Sequence, residues 1–137
     1  MGQRTFLYND AGRLERKVRI IDLTFFPQGA SNTAYTVAAG TLVGGKGVAS
    51  VVRNGSAGEY LITLQDSYKR LLSKYGSIQM AAATDLNLQF ATIANLGSST
   101  AAVTVIVRAL AGATPTEIAA NANNSISVTL VFSDADT

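Results

Sequence analysis

Residues 58–72 read Gly-Glu-Tyr-Leu-Ile-Thr-Leu-Gln-Asp-Ser-Tyr-Lys-Arg-Leu-Leu, and two hydrophobic periods meet inside them. From Glu59 to Gln65 the period is two. Tyr60, Ile62 and Leu64 point to one side of an extended strand, and Glu59, Leu61, Thr63 and Gln65 point to the other. After Asp66 the period lengthens. Tyr68, Leu71, Leu72 and Tyr75 stand at i, i+3, i+4 and i+7, which predicts an apolar stripe on a short helix near residues 67–75. Asp66 or Ser67 can cap its start, and Gly76 can end it.

Outward from this junction the period of two recurs. Downstream, Ser77 to Ala83 reads as a strand, Leu86, Leu88 and Phe90 alternate with Asn87 and Gln89, and Val103, Val105 and Val107 alternate with Thr104, Ile106 and Arg108. Ile126, Val128, Leu130 and Phe132 alternate with Ser125, Ser127 and Thr129 in the last segment. Upstream, Val48 to Arg53 is a strand joined to Glu59 by the turn signal Asn54-Gly55-Ser56. Gly44, Gly45 and Gly47 make a loop around Lys46, and a less regular strand precedes it near Tyr35 to Leu42. A strand from about Lys17 to Phe26, stopped by Pro27, shifts phase within itself. Val18 and Ile20 fall on one face and Ile21, Leu23 and Phe25 on the other, so either both faces are covered or a bulge separates them. Thr114-Pro115-Thr116-Glu117 has the makings of a capped helical turn near residues 115–120.

About eight strands separated by turn signals predict an all-β fold, an antiparallel β-sandwich or closed barrel rather than a parallel sheet with crossover helices. The organisation expected is an extended N-terminal arm over residues 1–16, a single β-sandwich domain over 17–133 and a short acidic tail over 134–137. The arm shows no sustained period. It carries Phe6, Leu7 and Tyr8 among Arg4, Arg13 and Arg16, a composition suited to docking on a neighbouring chain and ordering there.

Composition narrows the chemistry. The 137 residues are 47% hydrophobic, enough for one domain with its own core. There is no His and no Cys, which removes the usual general base near neutral pH, the commonest metal ligands and any disulfide. No apolar run approaches the roughly 20 residues that span a bilayer, and the polar, charged N-terminus predicts no secretory signal. Charge is uneven. Arg4, Arg13, Arg16, Lys17 and Arg19 outnumber Asp10 and Glu15 at one end, while Glu117, Asp134 and Asp136 stand without Lys or Arg from residue 109 onward.

The remaining candidate sites read blandly. Gly44-Gly45-Lys46-Gly47 lacks the Gly-Lys-Ser/Thr ending and the helix of a phosphate loop. Lys69, Arg70 and Lys74 form a basic face on the expected helix without interleaved aromatics, which argues against direct nucleic-acid binding. Asp134 and Asp136 supply too few oxygens for calcium. Asn54-Gly55-Ser56 and Asn123-Asn124-Ser125 match the glycosylation pattern by chance. The expectation is no enzyme, no cofactor, no metal and no membrane partner.

An ordered series of matches over Phe25 to Phe132 resembles the head decoration, or cement, proteins of tailed bacteriophages. The matching elements are Gly47 to Val51 with Gly58 to Leu64, Asp66-Ser67-Tyr68 with Leu71-Leu72, Asp85 to Gln89, Val103 to Val105, Pro115 to Asn124 and Val128 to Val131. The resemblance implies a β-sandwich of jelly-roll type on the outside of an icosahedral shell. It implies contacts to the phage major capsid protein and self-association, as a dimer before a trimer. The location implied is the virion exterior, after synthesis in the bacterial host cytoplasm. Arg4, Phe6, Leu7, Tyr8, Arg13 and Arg16 are the expected capsid contacts. The rival reading is a virion-surface β-sandwich that binds a carbohydrate or host receptor, although the chain has no Trp to serve as a sugar platform.

Overall fold

A computed structural model describes residues 18–134. It contains nine strands: β1 (Val18–Phe25), β2 (Leu42–Gly44), β3 (Val48–Arg53), β4 (Glu59–Leu64), β5 (Arg70–Gln79), β6 (Asn87–Ala94), β7 (Thr104–Ala111), β8 (Thr114–Pro115) and β9 (Ser125–Ser133). One sheet has the order β2-β1-β9-β5, and the other β3-β4-β7-β6, with the short β8 added to β7. Every pairing is antiparallel. The fold is an antiparallel β-sandwich.

Alternation explains the core. Ile21, Leu23 and Phe25 of β1 and Ile126, Val128, Leu130 and Phe132 of β9 turn inward from the first sheet and are fully or almost fully buried. Val51, Tyr60, Ile62, Leu64, Val105, Val107 and Ala109 meet them from the second sheet. Each of the larger aliphatic and aromatic side chains among them contributes about 1.5–3 kcal/mol by leaving water. The β1–β9 register runs unbroken from Val18 opposite Ser133 to Phe25 opposite Ile126. The phase shift read in β1 is therefore not a bulge: Ile20 simply projects from the outer face.

Two expected helical segments are corrected, and no helix occurs among the described residues. The stretch 67–75 does not coil. Arg70 to Gln79 is the edge strand β5, laid along β9 from Arg70 opposite Ser133 to Gln79 opposite Ser125. Leu72 is an extra residue in a bulge between Leu71 and Ser73. That bulge breaks the period of two and produces a helix-like spacing by coincidence. The stripe comes apart accordingly. Tyr68 is buried, stacked on Phe132 with ring centroids 4.6 Å apart, and Leu71 packs against the core, while Leu72 and Tyr75 are 53% and 67% exposed. Gly76 is not a helix stop but a close-packing point. A Cβ there would collide with the Leu88 side chain of β6 and reach 3.3 Å from Phe90.

Near residues 115–120, Thr114 and Pro115 pair with Ala111 and Leu110 as β8. The Glu117 carboxylate binds Arg53 rather than a helix N-terminus. The strand expected near Tyr35 to Leu42 is largely a loop with a turn at residues 37–40, and pairing begins only at Leu42.

Candidate interaction surface

The two flanks of the sandwich are built differently. On one flank, where β2 and β3 form the edges, the β1–β2 connection folds over the opening. The Tyr35 N–H donates to the Val51 carbonyl at 2.9 Å, occupying the outer edge of β3. Its ring lies between the sheets, 5.3 Å from Phe25 and 6.2 Å from Tyr60, and is only 2% exposed. Burial pushes the hydroxyls of Tyr35 and Tyr60 above the ordinary phenol range. Arg53, ending β3, fixes the same region. Its Nε and Nη2 donate to the two Glu117 oxygens, each at 2.8 Å, and its Nη1 donates to Asn32 Oδ1 at 2.8 Å. One guanidinium thus ties the β1–β2 and β8–β9 connections to the second sheet in a bidentate geometry.

The outer face of that second sheet is also closed by polar pairing. Glu59 of β4 accepts from Arg108 Nε of β7 at 2.8 Å and from Asn54 Nδ2 at 2.6 Å. The hydrogen bond from Arg108, then that from Asn54, hold the Glu59 carboxyl below the usual carboxylate range.

The opposite flank, between β5 and β6, has no comparable cover among the described residues. Leu71, Ile78, Met80, Leu86, Leu88, Phe90 and Ile93 are packed on the core yet only partly buried. Lys74, an inward position on β5 opposite Leu130, carries its ammonium out to a point 6.0 Å from the Phe90 ring centroid. Round the corner lies the outer face of the first sheet. There Ile20, Val43 and Tyr75 are 62%, 57% and 67% exposed, and Leu72 stands at the bulge beside them. Asp22 is held on this face by the Thr129 hydroxyl at 3.0 Å, and Thr24 bonds Ser127 at 2.9 Å. The outer face is therefore mixed: Ile20, Val43 and Tyr75 stand among Asp22, Thr24, Ser73, Ser77, Ser127 and Thr129.

The sequence-expected contacts Arg4, Phe6, Leu7, Tyr8, Arg13 and Arg16 lie outside the described residues. The first described residue, Val18, opens β1 beside Ser133, which in turn faces Arg70 of β5. With strands about 4.8 Å apart, Val18 lies about 10 Å from Arg70 at the start of β5. Lys69, Arg70 and Lys74 do not form one helix face. By register Arg70 projects with the outer face and Lys74 with the inner one. The Gly44–Gly47 loop is the β2–β3 turn, where the Gly45 N–H donates to the Asp22 carbonyl at 2.9 Å. Asp134 is described and Asp136 is not. A concavity of about 440 Å³ beside Phe26, Gln28, Thr41 and Asn121 has no titratable side chain in its lining.

Sequence reasoning missed the exposed Leu72 and Tyr75, because they were assigned to a buried stripe. The available signal was the double-faced pattern of β1, with Ile20 opposed to Ile21. No protein-family model matches the chain, and searches of curated proteins and of solved structures return no match.

Proposed function

We propose that the chain is a structural virion protein that binds the outside of a phage capsid and stabilises it by bridging major capsid protein subunits. The observation that carries this reading is a half-buried hydrophobic flank on a braced β-sandwich. That flank borders β5, and Val18, the first described residue, lies about 10 Å from Arg70 across Ser133. The resemblance over Phe25 to Phe132 supports the same conclusion, since it implies the sandwich architecture that the chain adopts.

The mechanism is mechanical. Packaged DNA presses the shell outward and loads the seams between subunits. A body that touches two subunits adds a contact that must break before a seam opens. The second contact forms at the high effective concentration set by the first, so two weak contacts hold strongly. The braced flank serves this role by resisting shear within the body itself: Arg53 and Tyr35 lock the connections to both sheets.

The test is copy number and rupture. Particles carrying the chain are purified, its stoichiometry against the capsid protein is counted, and heat-induced DNA release is compared with particles lacking it. Near-stoichiometric occupancy with a higher release temperature is expected. A few copies per particle together with cell or glycan binding would instead identify a receptor-binding module.

A further inference from the structure

Of the chain's asparagines, Asn54 alone precedes a glycine. Such a pair is chemically reactive, because a glycine nitrogen has no side chain beside it to hinder attack on the neighbouring amide carbon. Here the pair opens the turn between β3 and β4. Gly55 is exposed, its φ is +78°, and a Cβ there would meet nothing within 4 Å. Its N–H makes no hydrogen bond among the described residues. The attacking nitrogen is therefore unencumbered.

The leaving nitrogen is held. Asn54 Nδ2 donates to Glu59 Oε1 at 2.6 Å, and the Asn54 N–H donates to the Glu59 carbonyl at 2.8 Å. Arg108 Nε fixes the other carboxylate oxygen, Oε2, at 2.8 Å. A short bond to a charged acceptor is among the stronger hydrogen bonds. It slows amide chemistry in two ways. Donation to an anion pushes electron density into the amide and makes Cγ a poorer electrophile. It also ties the side chain to the facing strand, whereas ring closure needs Cγ brought onto the Gly55 nitrogen.

We infer that Asn54 is a site of spontaneous deamidation whose pace is set by its hydrogen bond to Glu59. The Gly55 nitrogen gives its proton to solvent and bonds to Asn54 Cγ. The Cγ–Nδ2 bond breaks, and Nδ2 leaves with a proton from water as ammonia. One water then opens the five-membered imide at either carbonyl carbon, leaving aspartate or isoaspartate at position 54. The net change is amide plus water to acid plus ammonia, with no oxidation or reduction. Either product loosens the turn. A carboxylate replaces the donor that faced Glu59, so two like charges meet. Isoaspartate also lengthens the main chain by one carbon inside the turn. The inference stands on the turn itself and does not depend on what the domain binds.

The experiment incubates the folded full chain at neutral pH and maps acid conversion at each asparagine by peptide mass analysis. Fragmentation separates isoaspartate from aspartate. The wild type is compared with Glu59→Ala, Glu59→Gln, Arg108→Gln and Asn54→Gln, and thermal melts verify that each is folded. Asn54 should convert before any other asparagine of the wild type. Glu59→Ala should convert about tenfold faster, the scale of one lost charge-assisted hydrogen bond. Glu59→Gln keeps a neutral acceptor and should fall between them. Arg108→Gln leaves the Asn54 bond in place and should convert no faster than the wild type. Asn54→Gln should stay intact at position 54. Another asparagine converting first, or Asn54 intact in both the wild type and the Glu59 variants, overturns the site. Equal rates in the wild type and both Glu59 variants overturn the role of Glu59, as does equal acceleration by Arg108→Gln, which would assign the pace to general loosening of the turn. Should Glu59→Ala melt early, Glu59→Gln alone decides: a rate no higher than the wild type's overturns that role.

Discussion

Two tyrosines of one sandwich have opposite fates. Tyr35 sits in an irregular connection yet is 2% exposed, wedged against Phe25 and Tyr60, while Tyr75 sits in a ten-residue strand yet is 67% exposed. Regular secondary structure does not decide burial here; the direction of the side chain does, since the Tyr35 ring lies between the sheets while Tyr75, opposite Thr129, projects from the outer face of the first sheet. On the β2–β3 side the chain supplies that cover itself, with a loop pinned by Arg53, Asn32 and Glu117. On the β5–β6 side the described residues supply none, and seven hydrophobic side chains stay half-buried: Leu71, Ile78, Met80, Leu86, Leu88, Phe90 and Ile93.

The contrast is sharpest in stability. Tyr35→Ala should cost about 3–5 kcal/mol, in the range of a buried aromatic truncation, whereas Tyr75→Ala should stay within about 0.5 kcal/mol of wild type. Urea unfolding checks both. Equal losses would mean that Tyr75 is buried in solution.

Gly76 probes how closely β5 and β6 approach. Gly76→Ala places a methyl into the Leu88 side chain and should destabilise by about 1–3 kcal/mol. Truncating Leu88 to Ala in the same chain should relieve part of that cost, so a double-mutant cycle should show coupling. Strict additivity would mean that the flank opens freely at this point.

The closed flank also carries a pH signature. The Tyr35 and Tyr60 hydroxyls are raised by burial, so the folded state holds these protons more tightly than the unfolded state does. Their contribution is intact below the unfolded phenol value of about 10 and is lost as pH rises beyond it. Alkaline unfolding should therefore be shallower in a Tyr35→Phe, Tyr60→Phe double variant. An unchanged alkaline profile would place the loss of stability elsewhere.

The smallest effect belongs to Glu59, whose depressed carboxyl contributes stability above the unfolded value of about 4.3 and loses it as pH falls through the folded one. Its surroundings are partly solvated, so screening keeps the contribution modest. Glu59→Gln should slightly flatten the acid limb of the stability curve and leave the alkaline limb alone.

Legibility in the sequence followed the same division. Segments buried on one face, such as Glu59 to Leu64 and Ser125 to Ser133, alternate cleanly, and their strands and inward residues were readable. The long-range closures were not. Nothing local says that Arg53 will find Glu117 or that Tyr35 will close a flank. The edge strand β5 was misread as a helix, since Leu72 in its bulge displaced the alternation and Gly76 resembled a helix stop. Both features belong to an edge that is guarded on one side and packed tightly under β6 on the other. The exposed Ile20 was present in the sequence as an unresolved choice in β1, where Ile20 and Ile21 claim opposite faces. Neither alternative describes the strand: β1 runs opposite β9 without a bulge, and Ile20 is exposed on the outer face.

A reconstruction of shells decorated with the full chain tests the central claim most directly. The account predicts one layer of sandwiches on the shell exterior, each with the β5–β6 flank against the capsid protein across a subunit seam and the Tyr35 loop facing solvent. Shells that bind no copies, or copies attached through the Tyr35 flank, would contradict it.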